Sequence, residues 1–475
     1  MADDYGRIVQ GLAAKLTNAE FEQRASAEYY DAAVRLKSVG IAVPEPMRHL
    51  QAAIGWPRMY LDSIEERLDI EGFRLGDSQE YVDQLTDWWQ ANDLDEESGL
   101  AHLDALIYGR SYITIAAPGE DDDQDVPLIR VESPLNMFHE TDPRTRKVTR
   151  ALRMYSNPDN PAQKWATLFL PNETVYLKNN DGVWKVEDRT VHNLGTVPVV
   201  PLLNRERLSD RDGRSEIIPE LRSFTDTASR IMMNMGAAAE LMAVPQRVLF
   251  GVEPEQLAPN GSPAEVLNSY MANILAVENE AGKAHQFQAA ELMNFVNVLE
   301  ELSKHVAAYT GLPPQYLSFS SENPASAEAI RSAESRLVKK CERKARLFGG
   351  SWEQVMRLAL QIMGQEVPVE MRRLEIIWRD PATPTFAAKA DAVMKMYANG
   401  QGVVPKEQAR IDMGYTKEQR DAMREWDAED KAEMVKLADI LAPRPQPGAN
   451  AGSNGDNDPN RTGSSRPGQT GNGAS

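Results

Sequence analysis

Apolar residues recur at helical spacing from about Tyr5 to Val39, with Ile8, Leu12 and Leu16 in one stripe and Tyr29 and Tyr30 further on. A second helical pattern runs from about Glu45 to Leu68. IEGFR, within Asp69–Arg74, then alternates as a short strand. Ser78–Asn92 predicts a helix with Tyr81, Leu85, Trp88 and Trp89 on one side. Glu96–Tyr108 predicts another, with Leu100, Leu103, Leu106 and Ile107 as its apolar positions. Gly109 ends that helix with a residue that tolerates positive φ.

The period then changes from 3.6 to 2. SYITIAA (Ser111–Ala117) and PLIRVES (Pro127–Ser133) are β-branched runs on either side of the acidic loop EDDDQD. VTRALRMYS, KWATLFLP, TVYLKNN and VWKVED continue the alternation to about Asp188, with Asn157-Pro158, Pro161, Pro171-Asn172 and Asp181-Gly182 as turn signals. The pattern predicts an antiparallel meander of about five or six strands.

Helical spacing returns at Ser215–Ala243, with Pro219 early, where a missing N–H costs least, and Pro245 beyond the end. Its second half, IMMNMGAAAELMA, is apolar around most of its circumference, which fits burial or packing against copies of itself. A mixed segment follows: a strand in QRVLFGV, a helix in SPAEVLNSYMA and a strand in NILAVEN. Ala289–Thr310 is helical, and so is Pro324–Gly364, which Gly349-Gly350 is expected to bend or break. RRLEIIWRD is a last strand. Helices are expected at Phe386–Asn399, Pro405–Asp412 and Lys417–Leu441. From Pro443 to Ser475 no aromatic or large aliphatic residue occurs, so this tail is expected to be disordered. No internal repeat is visible. The fold class expected is α+β, mainly α-helical.

Composition narrows the function. A chain of 475 residues exceeds one ordinary core, so several domains or an elongated subunit are expected. Against 71 acidic side chains stand 52 basic ones, a net charge of −19, which opposes adhesion to DNA or to an anionic membrane by the average surface. The single cysteine, Cys341, excludes an intrachain disulfide and reads as a small apolar filler. The longest apolar run, Val197–Leu203, is far below the roughly 20 residues of a membrane span. No membrane association is expected, and the N-terminus has no signal design.

Candidate chemistry is sparse. Asp121, Asp123, Asp125 and Glu132 fall at positions 1, 3, 5 and 12 of a calcium-loop frame, but Val126 replaces the required glycine and the flanks are strands, which favours a solvated hairpin tip. The six histidines lie too far apart for a zinc signature. No phosphate-binding GxxxxGK[ST] loop, GxGxxG or GxSxG is present. No cofactor and no metal are expected, and the protein is not expected to be an enzyme. The helix after Pro324 carries an apolar stripe of Ile330, Leu337, Cys341, Ala345 and Phe348. Its other faces hold a cluster including Lys339, Lys340, Arg343 and Lys344. That cluster reads as a solvated face with i,i+4 pairs such as Glu342–Arg346, as a contact with an acidic neighbouring subunit, or as a contact with phosphates.

Three stretches together carry a resemblance: DWWQANDLDEESGLAHLDALIYGRSYITI (Asp87–Ile115), GRSEIIPELRSFTDTASRIMMNMGAAAELMAVPQRVLFGV (Gly213–Val252) and TGLPPQYLSFSSENPASAEAIRSAESRLVKKCERKARLFGGSWEQVMRLAL (Thr310–Leu360). The chain resembles the portal proteins of tailed bacteriophages, in the long-tailed group of actinobacterial hosts. The resemblance implies an elongated subunit of wing, stem, clip and crown, in a ring usually of twelve copies at one capsid vertex. It places the wing at 1–212, with the β-rich part in it, and stem helices at 213–243 and 289–310. The clip would be 244–288, a tunnel loop 311–323, a long wing helix and strand 324–384, the crown 385–442 and the tail 443–475. Gln315, Tyr316, Ser318, Phe319, Ser320 and Ser321 would line the DNA channel in the tunnel loop, with Tyr316 and Phe319 aimed either at DNA or at a neighbouring subunit.

The partners so implied are other copies of the chain, double-stranded DNA without sequence specificity, the terminase large subunit, a head–tail adaptor, and the major capsid and scaffold proteins. The location implied is the virion, at the head–tail junction, after assembly in host cytoplasm. The absent nucleotide loop fits a passive conduit, and no base-reading motif is evident. The competing readings are another capsid or scaffold assembly protein and a DNA-processing enzyme.

Overall fold

The structure is a computed structural model that describes residues 2–34, 52–76, 78–157, 160–180, 182–243, 247–250, 274–277, 281, 291–317, 327–382, 386–415 and 417–441. The chain divides into two compact units, Met1–Thr383 and Pro384–Ser475.

The first unit opens with α1 (Ala2–Tyr30), α2 (Trp56–Glu65), β1 (Ile70–Arg74), α3 (Gln79–Ala91) and α4 (Leu94–Tyr108). Gly109 caps α4 at φ 91°, the left-handed conformation its sequence position demanded. Leu106 and Ile107 are buried as expected, while Leu100, expected on the apolar face, is 53% exposed and Ala101, His102 and Ala105 are buried. The small residues Ala101 and Ala105 let α4 lie close to its neighbours, so they share the buried face with Leu106 and Ile107.

The expected single meander is two sheets. β2 (Arg110–Ala116) and β3 (Leu128–Glu132) join β9 (Val199–Leu203) in the order β3-β2-β9. β4 (Met137–Thr141), β5 (Val148–Ser156), β6 (Lys164–Phe169), β7 (Glu173–Asn180) and β8 (Val183–Val191) form the antiparallel meander β4-β5-β6-β7-β8. The proline-broken run at Val197–Leu203 therefore contains a strand. Pro201 pairs with Tyr112, and β9 lies at the edge of its sheet, where a residue without an N–H is tolerated. β4 was not read from the sequence. α1 covers one face of the meander, with Val9 and Leu12 in a core with Leu152, Leu168 and Val175. On the opposite face Ala151 and Phe169 pack with Tyr112, Val197 and Val199, which joins the two sheets.

α5 (Pro219–Ala243) packs on α6 (Met293–Thr310), where the Phe224 ring stacks on His305 at 5.7 Å and meets Tyr309 at 5.6 Å. β10 (Arg247–Phe250) and β11 (Ile274–Val277) pair in parallel. The helix expected in SPAEVLNSYMA and the tail Pro443–Ser475 lie outside the described residues.

After a single helical turn at Pro314–Leu317 comes α7 (Ala327–Ile362), 36 residues without a break. Gly349-Gly350 does not interrupt it. A side chain at Gly349 would stand 3.3 Å from the Trp378 indole nitrogen, so this glycine lets β12 (Glu375–Trp378) lie against the helix. Packing on both sides of the pair holds the helical path, because Phe348 and Trp352 are fully buried. Trp352 meets Trp89 edge-on at 5.0 Å and donates its indole N–H to His102 Nε2 at 3.0 Å. Burial pushes the His102 imidazole down to about 3, so it sits neutral in the core as an acceptor. β12 pairs antiparallel with β1.

The second unit holds α8 (Phe386–Tyr397), α9 (Lys406–Met413) and α10 (Lys417–Leu441). An ion cluster joins α9 to α10: Arg410 reaches Asp427 at 2.8 Å, Lys406 pairs with the same carboxylate, and Arg420 meets Glu407 at 3.4 Å. Met394, Trp426 and Met434 are largely exposed.

Candidate functional site: a loop, a long helix and a buried ion knot

The turn-rich segment after α6 begins at Gly311, which caps the helix at φ 81°. A Cβ there would sit 3.2 Å from the Arg336 side chain, whose guanidinium donates to the Ala308 carbonyl at 2.8 Å. Glycine and arginine together satisfy the end of α6 from α7. Tyr316 is half-buried. Its hydroxyl donates to Glu334 at 2.7 Å and accepts from Arg67 at 3.0 Å. Arg67 also donates to the Pro381 carbonyl at 2.5 Å. Burial and then the Glu334 hydrogen bond push the Tyr316 phenol up. Leu317 is buried and Gln315 is exposed. The Tyr316 ring is thus held by its own chain. Ser318, Phe319, Ser320 and Ser321 lie outside the described residues.

The basic cluster on α7 divides by burial. Lys339 is exposed and pairs with Glu342 at 2.6 Å, and Arg343 is exposed, its guanidinium donating to the Glu206 carbonyl at 3.4 Å. Lys344 is 4% exposed and faces the interior, not a phosphate. Its ammonium pairs with Glu216 and donates to Asn204 Oδ1 at 2.5 Å. Asn204 Nδ2 donates to Glu216 Oε1 at 3.0 Å, and the Tyr60 hydroxyl donates to Glu216 Oε2 at 2.7 Å. Lys340, one turn before, lies 3.5 Å from the same oxygen, and its Nζ stands 5.0 Å over the Tyr60 ring. Burial alone would push the Glu216 carboxyl up. Lys344 and Lys340 outweigh that and hold it well below the usual carboxylate range.

This knot gathers four parts of the chain. Tyr60 comes from α2, Asn204 follows β9, Glu216 precedes α5, and the lysines belong to α7. The backbone is equally constrained: Glu216 N–H donates to Leu106 O at 2.9 Å and Asn204 N–H to Gly109 O at 2.9 Å. Gly213, at φ 85°, crosses so close that a Cβ would fall 1.9 Å from the Gly109 carbonyl oxygen. A fully paired, hydrogen-bonded charge cluster of this kind fixes the direction in which α5 leaves the body. Glu216 escaped the sequence reading, since it is a lone acid before an apolar run. The only signal lay in the i,i+4 spacing of Lys340 and Lys344, which puts both ammonium groups on one face.

The acidic hairpin is tied to itself. Gly119 N–H donates to Asp122 at 2.8 Å, and Asp125 N–H to Asp123 at 3.1 Å. Among the described residues no group of three or more His, Cys, Asp or Glu could hold a metal ion, and no helix is long and apolar enough to cross a membrane. Cys341 is buried with its sulfur 3.9 Å from the Ile64 carbonyl, and burial pushes its thiol up to about 11.

Comparison with known proteins completes this geometry. The chain is 51% identical over 436 residues to the portal protein of Mycobacterium phage L5, which covers 90% of each chain. It is 53% identical over 415 residues to the portal protein of Mycobacterium phage D29, covering 86% of each. A chain in the solved virion of a native gene transfer agent particle aligns over 78% of this chain and 92% of that one, at 15% identity and a TM-score of 0.39. The family model for phage portal proteins of the SPP1 Gp6-like type matches residues 27–436. The chain belongs to that family of portal proteins, and its α+β fold is the portal fold.

Proposed function

We infer that the protein is the portal subunit of a phage capsid, a conduit through which double-stranded DNA is packaged and later leaves. Family membership over most of the chain carries this reading. The structure supports it in one further way. Met293 and Val296, about one turn apart on α6, are 62% and 39% exposed, apolar side chains that a lone subunit leaves in water and copies around a ring would cover. In this reading α5 and α6 are the stem helices and 244–288 the clip, which docks the terminase and later the head–tail adaptor. Residues 385–442 are the crown. The ring has twelve copies, assembles in host cytoplasm and works at the head–tail junction of the virion.

The net charge of −19 suits a conduit, because a surface that summed attraction over many phosphates would stall the duplex. Residues 318–321 are proposed to face the channel. Tyr316, held by Arg67 and Glu334, anchors that segment instead of reaching DNA itself. The role is structural and no reaction is assigned. Mass photometry of the full chain is expected to show particles many times the 52.9 kDa subunit, with a central pore in negative-stain images. Chains that stay monomeric, even with shell and scaffold proteins present, would overturn the ring. Deleting residues 315–321 is expected to leave rings intact and to impair packaging or retention of DNA; normal virion yield would refute the channel role of that segment.

A further inference from the structure

The three-stranded sheet carries opposite charge at its two ends. At one end the β2–β3 hairpin presents Glu120, Asp121, Asp122, Asp123 and Asp125, all exposed. The Trp88 indole donates to the Asp125 carbonyl at 2.9 Å, and Asn92 to that of Pro127 at 2.9 Å, which sets the hairpin beside the start of α4. The first turn of α4 adds Asp95, Glu96 and Glu97. Among the described residues none of the five hairpin carboxylates forms an ion pair with a lysine or arginine.

The other end is richer in basic side chains, with Glu206, Asp210, Asp212 and Glu342 standing among them. There the segment after β9 carries Arg205, Arg207 and Arg211, against a face of α7 carrying Lys339, Arg343 and Arg346, with Arg343 touching the Glu206 carbonyl. Some of this charge is answered locally: Arg207 by Asp210 at 3.8 Å, Lys339 by Glu342 at 2.6 Å, while Glu206 leans on Lys344 at 3.9 Å. Arg205, Arg211, Arg343 and Arg346 have no carboxylate within ion-pair distance among the described residues. The Arg205 Nε is buried with no hydrogen-bond partner, and Leu208 beside it is 84% exposed. The seven residues of β2 separate the two ends by roughly 20 Å.

We propose that the basic surface formed by residues 205–211 and α7 seats the acidic hairpin of a second copy of this chain. The two patches stand at opposite ends of one sheet, so a copy does not satisfy itself. Each can satisfy the next, head to tail, and contacts of that kind close into rings when the rotation per subunit allows. Copies with a net charge of −19 repel at a distance, so a local meeting of opposite signs also selects the orientation in which they approach. Leu208 supplies an apolar contact at the rim. This inference rests on the portal reading, and it names the surface that sets the order of subunits.

The test uses full-length chain in three charge-reversed forms: Asp121→Lys with Asp123→Lys, Arg207→Glu with Arg211→Glu, and all four together. Ring fraction is read by mass photometry against protein concentration at low and high salt, with circular dichroism and thermal melts reporting the fold. Each pair of reversals is expected to raise the concentration for half-assembly at low salt by about tenfold or more, and less at high salt. The fourfold variant, complementary again, is expected to return near the wild type. Folded variants that assemble like the wild type overturn the proposal, as does a fourfold variant no better than the worse pair. Unchanged rings combined with loss of duplex-DNA binding in the arginine variant would reassign the surface to DNA and also overturn it. Wild-type chains that never form rings overturn the portal-ring reading itself, and this inference with it.

Discussion

The two units solve the same electrostatic problem in opposite settings. In the first, Glu216 and Lys344 are 2% and 4% exposed, and every polar atom they present finds Asn204, Tyr60 or Lys340. In the second, Asp427 meets Lys406 and Arg410 at the edge of solvent, with the Lys406 side chain half exposed. The two sets of contacts look alike. The knot has given up hydration on both sides, so losing one member strands the other in the interior. The α9–α10 cluster keeps water as an alternative partner. The difference teaches that what surrounds an ion pair, more than its length, decides how far the structure depends on it.

The largest expected effect follows from breaking the knot on one side. Glu216→Ala should destabilise the first unit by about 3–5 kcal/mol in denaturant unfolding, because Lys344 stays buried without its counter-charge. Replacing both partners, as Glu216→Leu with Lys344→Met, should recover most of that loss. A cost for Glu216→Ala no larger than that of an ordinary surface substitution would collapse the distinction between the two regions.

A smaller effect separates buried Glu216 from half-buried Glu65 by the sign of their pH dependence. Glu216 is held below its ordinary 4.5, so its contribution is present above that pH and is lost as the pH falls further. Glu65 goes the other way: burial, then Asp69, Asp62 and Glu66, push it up to about 7. Folding favours its protonated form, so that contribution is present below 4.5 and is lost as the pH rises through 7. Glu65→Gln should therefore flatten the stability profile between about pH 5 and 8 and leave the acid limb unchanged, as read by melts across that range. An unaltered profile would mean that Glu65 titrates normally.

The smallest effect is expected where the ions are wet. Asp427→Asn should leave the unfolding midpoint of the α9–α10 region within the scatter of repeat melts, and added salt should erase any residue of a shift. A loss comparable to that of Glu216→Ala would show that exposure had misjudged the cluster.

What the sequence disclosed followed range. α4 and its Gly109 cap, the strand IEGFR and the buried stripe Leu337, Cys341, Ala345 and Phe348 were legible, because each is set by residues a few places apart. The portal fold was legible through the quoted stretches. The burial of Lys344 was not, since its partner is 128 positions away in the chain. The unbroken course of α7 through Gly349-Gly350 lies against Trp378, a neighbour that no local propensity contains. β9 was hidden by its proline, which reads as a breaker until the strand is known to lie at an edge. In the candidate channel segment the sequence located the turn at Gly311, but the anchoring of Tyr316 by Arg67 needed the fold.

Cys341 has a practical consequence. With its thiol pushed up to about 11 inside the α2–α7 contact, only about one molecule in a thousand carries the reactive thiolate at pH 8. Folded chains should ignore alkylating reagents, so the rate at which the label appears measures how often α7 parts from α2. The same silence leaves a clean background for cysteines introduced in pairs across the hairpin and the arginine segment of adjacent copies, where a cross-link would read the order of subunits directly.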